Sequence, residues 1–190
     1  MRNNRSFTID IFMNMTNTVL ECIKTRRSIR RYKPEQIKDE ELQAVLEAGT
    51  FAPTGMGRQD PWIVAVQNKE IIAQLTEMNK KFYEGAGDPY YGAPTIVFVF
   101  GSSPENWRNS TKDGSLVLGN MMIAAHSIGL GSCWINRERE MFATDEGKAL
   151  MKQMGLPDGL VGIGSIALGY PASYPPTVKP RKDGYARVIR

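Results

Sequence analysis

Short apolar runs alternate with turn-forming clusters along this chain, and each run fits either the 3.6-residue spacing of a helix or a continuous buried strand. Behind Thr16 or Thr18 as a cap, a helix running to about Arg27 is expected to turn Val19, Leu20 and Ile23 inward, and Pro34 then breaks the chain. Leu42, Val45, Leu46 and Gly49 recur at helical spacing after Asp39, a candidate N-cap. Ile71, Ile72, Leu75 and Met78 do the same after Asn68. Trp62–Val66 and Ser132–Ile135 read as short strands, and Leu160–Leu168 as a longer one. Thr95–Phe100 is apolar at every position after the first, which predicts a central strand covered on both faces. The run from Asp113 to Ile128 is the most apolar helix of the chain. Apolar residues all round a helix predict burial, inside one subunit or between two. A further helix is expected from about Thr144 to Met154, ended by Gly155.

The intervening segments are equally legible. Ala52-Pro53-Thr54-Gly55-Met56-Gly57 is a loop of turn formers, and residues 83–94 form a second turn-rich stretch whose Tyr90 and Tyr91 are candidates for a mobile flap. From Gly169 onward, Pro171, Pro175, Pro176 and Pro180 predict an extended tail. No repeat or linker divides the chain. Residues 1–15 read as an N-terminal arm and residues 16–190 as a single domain mixing helices and strands.

Composition fits that picture and charge changes it. The 190 residues are 42% hydrophobic and 23% charged, which excludes wholesale disorder. The longest apolar run, Leu116 to Leu130, is interrupted by Asn120, His126 and Ser127, so no membrane span is expected. The N-terminus lacks a long apolar stretch with a small-residue cleavage site, and Cys22 and Cys133 stand alone, which together predict a cytoplasmic protein. The formal net charge of +4 hides a division. Residues 1–33 hold eight bases and two acids, residues 179–190 five bases and one acid, and the remainder 11 bases and 17 acids. An acidic body repels a nucleic-acid backbone, so no nucleic-acid partner is expected. Two short basic ends suit one compact anion, such as a single phosphate, or plain solvation.

Most familiar chemistry is missing. There is no GxxxxGK[ST] loop, and Gly162-Ile163-Gly164 falls inside a predicted strand rather than at a strand-to-helix turn. No metal-ligand spacing is present. His126, on the apolar helix, reads as a satisfied core or interface histidine, and Cys133 as a core thiol rather than a nucleophile. Glu138 and Glu140, like Glu40 and Glu41, read as solvated charge. What remains is Arg26-Arg27-Ser28-Ile29-Arg30, where guanidinium forks and a hydroxyl are spaced to meet phosphate oxygens.

Taken with three later segments, that motif resembles the nitroreductase family of FMN-dependent oxidoreductases, from about Val19 to the C-terminus. Arg26-Arg27-Ser28-Ile29-Arg30 is similar to the family's opening RxSxR or RxSxK signature. Ala52-Pro53-Thr54-Gly55-Met56-Gly57-Arg58-Gln59-Asp60-Pro61-Trp62 resembles its APSSxNxQPW loop, with Gly57 for the common Asn and Asp60 as an insertion. Gly129-Leu130-Gly131-Ser132-Cys133-Trp134-Ile135 resembles the GLG element and following strand, with Asn136-Arg137 replacing a frequent acidic or glycine pair. Ala167-Leu168-Gly169-Tyr170-Pro171 and Lys179-Pro180-Arg181 resemble the GYP strand and terminal KxR.

The resemblance implies an α+β nitroreductase-type fold, a mixed and mostly antiparallel sheet flanked by helices, in an intertwined homodimer. It implies FMN held by Arg26, Arg27 and Ser28 with Lys179 and Arg181 at the phosphate and ribityl chain, and by Arg30 at the N1 and C2 carbonyl edge. Cys133, Trp134, Ile135 and Asn136 would lie under the ring, and Pro53, Thr54, Gly55, Met56 and Gln59 would reach it from the other subunit. The implied activity is ping-pong: hydride from NADH or NADPH to flavin N5, then reduction of a small nitroaromatic, quinone or similar acceptor, with no catalytic side chain. Other flavin chemistry on the same fold, dehalogenation or enone reduction, and a non-catalytic flavin-binding protein remain open alternatives. Asp60 and Arg137 are expected at the mouth of the pocket.

Overall fold

A computed structural model of the protein describes residues 15–175 and 177–190. The expected N-terminal arm falls almost wholly outside the described residues. Four strands, β1 (Trp62–Val66), β2 (Thr95–Ser102), β3 (Gly131–Ile135) and β4 (Leu160–Gly169), form one sheet in the order β1-β2-β4-β3. Every pairing between them is antiparallel, and a bulge between Val99 and Phe100 shifts the β2–β4 register. Among the described residues the single parallel contact is a bridge from Ser28 to Ser132 beyond the β3 edge. Six helices, α1 (Thr18–Thr25), α2 (Asp39–Thr50), α3 (Lys69–Lys80), α4 (Ser110–Ser127), α5 (Glu138–Ala143) and α6 (Asp145–Gln153), complete the described residues.

The two faces of β2 explain its unbroken apolar sequence. Successive side chains of a strand point to opposite faces. Ile96, Phe98 and Phe100 enter one core with Leu75 and Met78 of α3, Tyr90, Phe142 of α5 and Leu150 of α6. Val97 and Val99 enter the other with Leu42 and Val45 of α2 and Leu118 and Met121 of α4. Phe142 packs edge-on against Phe98 and Phe100, with ring centroids 5.5 and 4.8 Å apart. Such pairs add about 0.5–1.5 kcal/mol beyond the area they bury.

Several expectations are corrected. The α1 cap is Asn17, whose side chain accepts from the Leu20 N–H, and Asp39 is the first residue of α2 rather than its cap. Val19 and Ile23 do not face inward but are 61% and 50% exposed. α4 begins at Ser110 and buries one face only, leaving Leu116 and Ile128 on the surface. The helix expected from about Thr144 to Met154 is α6, capped by Thr144 through the Gly147 N–H, but a short helix that was not expected, α5, precedes it. Tyr90 is no flap residue. Its ring is fully buried, and Asp88 pins the turn around it by accepting from the N–H groups of Tyr90 and Gly92. Glu138 is not solvated but 1% exposed, pressed against β4 where a Cβ on Gly162 would stand only 2.5 Å from its carbonyl oxygen.

Candidate functional site

The chain leaves α1 at Arg26, whose backbone turns extended (ψ 134°), and residues 26–33 are captured by the sheet edge. The Ile29 N–H donates to the Ser132 carbonyl at 3.0 Å, and Ile29 is buried against Gly131, where no side chain beyond hydrogen would fit. Lys33 N–H then donates to the Tyr170 carbonyl, and Ala172 N–H to the Arg31 carbonyl. The Tyr32 hydroxyl donates to the carbonyls of Ile29 and Ala167. Three sequence-distant segments, residues 26–33, 131–135 and 169–172, are thus stitched together by main-chain bonds.

The first of them, with the residues that follow the last, bounds a cleft of about 410 Å³ lined by Ser28, Arg30, Arg31, Ser173, Tyr174 and Pro175. No acid is in its lining among the described residues. Buried Arg26 Nη1, Arg27 Nε and Ser132 Oγ have no hydrogen-bond partner among the described residues. Arg27 Nη1 does have partners, the carbonyls of Lys24 and Arg26. Buried donors without acceptors are costly, and such groups on residues adjoining Ser28 of the cleft, in sequence or by strand pairing, fit an anionic ligand. Burial pushes the Cys133 thiol up, against the opposing pull of the Arg30 guanidinium and a hydrogen bond from Ser28. That thiol is 2% exposed and stays protonated at neutral pH, in keeping with a core cysteine.

Arg30 also lies 5.9 Å from the centre of the Tyr91 ring. At the far end of β3, Trp134 Nε1 donates to Asn136 Oδ1 at 2.7 Å, so the exposed Asn136 side chain is fixed across the strand end. Arg137 follows with φ 86°, and its Nε donates to Asn79 Oδ1 at 2.9 Å. His126 meets Thr25 Oγ1 at 2.9 Å, and burial together with Arg26 and Arg27 holds its imidazole below the usual range. It is a satisfied histidine between α4 and α1.

The structure does not bring every candidate to this cleft. Pro53, Thr54, Gly55, Met56 and Gln59 sit apart from it, on a loop with a 3-10 turn at Gly55–Gly57. Asp113 of α4 holds that loop: its carboxylate accepts from the Gly55 N–H and from Trp107 Nε1, while Arg58 stacks 4.5 Å from the Trp107 ring centre. The Thr54 hydroxyl accepts from the Gln59 N–H. Asp60 ties the loop to β2, accepting from the Ser102 N–H and hydroxyl, so within its own chain the inserted acid is a staple. Lys179 and Arg181 are exposed on the tail and do not line the cleft.

Asn79, Asp113 and Trp107 carry much of this geometry, yet none stood out in the sequence. An asparagine inside an amphipathic helix and an acid near a helix start look like surface residues until their partners are known. Among the described residues no group of side chains could hold a metal ion, and no helix is long and apolar enough to cross a membrane.

Comparison with known proteins agrees with this arrangement. The model of the nitroreductase family matches residues 23–170. A putative NADH dehydrogenase/NAD(P)H nitroreductase of Archaeoglobus fulgidus is 33% identical over 173 residues, covering 87% of this chain and 90% of its own. The crystal structure of a Bacteroides fragilis nitroreductase with bound FMN is 33% identical with a TM-score of 0.84, covering 92% of this chain and 100% of that one. A Desulfitobacterium hafniense nitroreductase with bound FMN is 28% identical with a TM-score of 0.82, over 92% of this chain and 100% of its own. The family pattern extends from inside α1 to just past the end of β4 and includes Ser28, Arg30 and Arg31 of the cleft; the chain belongs to the nitroreductase family.

Proposed function

We propose that the protein is an FMN-dependent oxidoreductase that uses NADH or NADPH to reduce a small nitroaromatic, quinone or similar acceptor. The observation that carries this reading is a cleft at Ser28 and Arg30 with no acid among the described residues of its lining, together with partnerless polar atoms on Arg26, Arg27 and Ser132, which adjoin Ser28 in sequence or across its bridge to β3. A phosphate supplies several acceptor oxygens to such donors, and guanidinium forks match it geometrically. The bound FMN of the Bacteroides fragilis and Desulfitobacterium hafniense structures supports the choice of cofactor.

In this reading Arg26, Arg27 and Ser28, with Lys179 and Arg181 of the tail, hold the phosphate and ribityl chain. Arg30 faces the N1 and C2 carbonyl edge, where its fixed positive charge stabilises the anionic character of the reduced ring. Cys133, Trp134, Ile135 and Asn136 provide the strand beneath the ring, and main-chain N–H groups at its end point to N5. When bound, FMN supplies reversible two-electron chemistry, taking hydride from the nicotinamide and passing the electrons to the acceptor in alternating half-reactions. The chain's own task is to bind, orient and shield the ring, and no nucleophile or metal is required of it.

A homodimer completes the site. The Pro53 to Gln59 loop does not line the cleft of its own chain, and a second copy would bring it there. Exposed Val19 and Ile23 on α1, Leu116 on the neighbouring α4 and Ile128 at its C-terminus support that assembly, because they are apolar surface that a second copy would cover.

The test is an absorbance spectrum of the purified protein followed by anaerobic addition of NADH or NADPH. A yellow protein that bleaches is expected. A colourless protein that ignores added FMN overturns the cofactor, and a yellow one that never bleaches overturns turnover in favour of flavin binding alone. Arg26→Ala and Arg181→Ala are each expected to weaken FMN binding roughly ten- to a hundredfold, as the loss of a charge-assisted contact implies. Unchanged affinity in both rejects the phosphate assignment.

A further inference from the structure

Asn79 lies in the last turn of α3 and is fully buried. A buried primary amide is costly unless its donors and its acceptor are met. All are met here. Oδ1 accepts from Arg137 Nε at 2.9 Å, and Nδ2 donates to the Tyr90 hydroxyl and to the Asn136 carbonyl, both at 3.3 Å. Two of the three partners are consecutive residues just beyond β3.

Those two residues form a turn that their own sequence does not favour. Arg137 has φ 86°, in the left-handed region that a side chain with a Cβ resists and glycine accepts. It persists only because surrounding structure determines it. The determinants are visible: Asn79 grips the Asn136 carbonyl and the Arg137 side chain, and the Arg137 guanidinium lies 4.8 Å from the centre of the Tyr83 ring. From there the chain enters α5 directly, with the Met141 N–H donating to the Arg137 carbonyl.

We propose that Asn79 is a positioning residue that fixes the Asn136–Arg137 turn, and with it the main-chain N–H groups at the end of β3, through Arg137 acting as a strut. The inference rests on the proposed function, in which that strand end faces the flavin. It assigns the Arg137 cation to Asn79 and Tyr83 rather than to an anionic substrate. It also gives Tyr83 and Tyr90 a task in holding the site from the segment after α3.

The test compares wild type with Asn79→Leu and Arg137→Ala, reading the melting temperature, the visible spectrum and midpoint potential of bound FMN, and kcat and KM for NADH and NADPH. Both variants are expected to bind FMN, to shift its spectrum and potential in the same direction, and to lose roughly ten- to a hundredfold in kcat, as misplacement of about 1 Å produces. KM for either nicotinamide is expected to stay within a fewfold. Wild-type spectrum, potential and kcat in Arg137→Ala overturn the strut, whether or not Asn79→Leu folds. A lowered melting temperature in Asn79→Leu with an unaltered flavin makes Asn79 merely structural and overturns the proposal. A rise in KM alone in Arg137→Ala assigns the cation to the substrate instead. Failure of wild type to bind FMN is a separate result that overturns the proposed function itself.

Discussion

The two sides of the sheet each bury a carboxylate, and they treat it differently. On the α4 side, Asp113 is 3% exposed and both its oxygens are used, one by the Gly55 N–H at 2.9 Å and one by Trp107 Nε1 at 2.7 Å. On the α5 side, Glu138 is 1% exposed and only half used: Oε1 accepts from the Ser165 hydroxyl, and Oε2 has no partner among the described residues. Burial therefore pushes Glu138 up to about 7, against the pull of the Ser165 hydrogen bond and of Arg137. One buried acid organises a loop and the other is a pH-dependent liability. Burial alone does not decide what a carboxylate does; the donors brought to it do.

The largest expected effect is on the used acid. Asp113→Ala strips the acceptor from two donors, and each orphaned buried donor costs about 1–3 kcal/mol. Thermal or urea unfolding is expected to show a loss of roughly 2–6 kcal/mol. It is expected also to free residues 53–59, so that protease cleavage concentrates there. A loss below about 1 kcal/mol with an unchanged cleavage pattern would mean that the Gly55 and Trp107 contacts do not hold the loop.

The second effect is on the half-used acid and is one of pH. Glu138 rises from 4.5 unfolded to about 7 folded, so between those values the folded chain binds a proton that the unfolded chain releases. Its contribution is fully present below about 4.5 and is lost as the pH rises to 7. The neighbouring charges, Arg137 and Glu140, and the Tyr90 hydroxyl stay in both proteins when wild type is compared with Glu138→Gln. The difference in unfolding free energy between the two is expected to move by roughly 2–3 kcal/mol between pH 5 and pH 8, in favour of the variant at the higher pH. A flat difference across that window would place water on the carboxylate and erase the contrast with Asp113.

That contrast also marks the limit of what the sequence carries. The β2 run, the caps at Asn68 and the order of elements follow from local periodicity, and local periodicity is written in contiguous residues. Glu138 defeats it because α5 is only six residues long, too short for a periodic signature, and its burial is imposed by Gly162 on a strand 24 positions later. Tyr90 defeats it likewise, since turn-forming neighbours signal a surface loop while a buried asparagine and Phe98 hold the ring inside. The basic motif at 26–30 was legible by residue type, and its place beside Ser132 and Tyr170 is a product of long-range main-chain pairing. Val19 and Ile23 show apolar spacing correctly, but spacing cannot say whether the covering surface belongs to the same chain.

The smallest expected effect tests whether Asp113 holds its loop against strain. Met56 sits at the tip of that loop with φ 57°, and its side chain is 91% exposed, so it contributes almost no packing. A left-handed residue with a Cβ costs about 1–2 kcal/mol, and glycine removes that cost while losing about 0.5–1 kcal/mol of unfolded-state entropy. Met56→Gly is therefore expected to stabilise the isolated protein by a few tenths of a kcal/mol to about 1 kcal/mol, read by denaturant unfolding at fixed pH. In an Asp113→Ala background the loop is free to relax, so the same substitution is expected to give no gain. An equal gain in both backgrounds would show that the tip keeps its conformation without Asp113, and would reduce that carboxylate's role to its bond with Trp107.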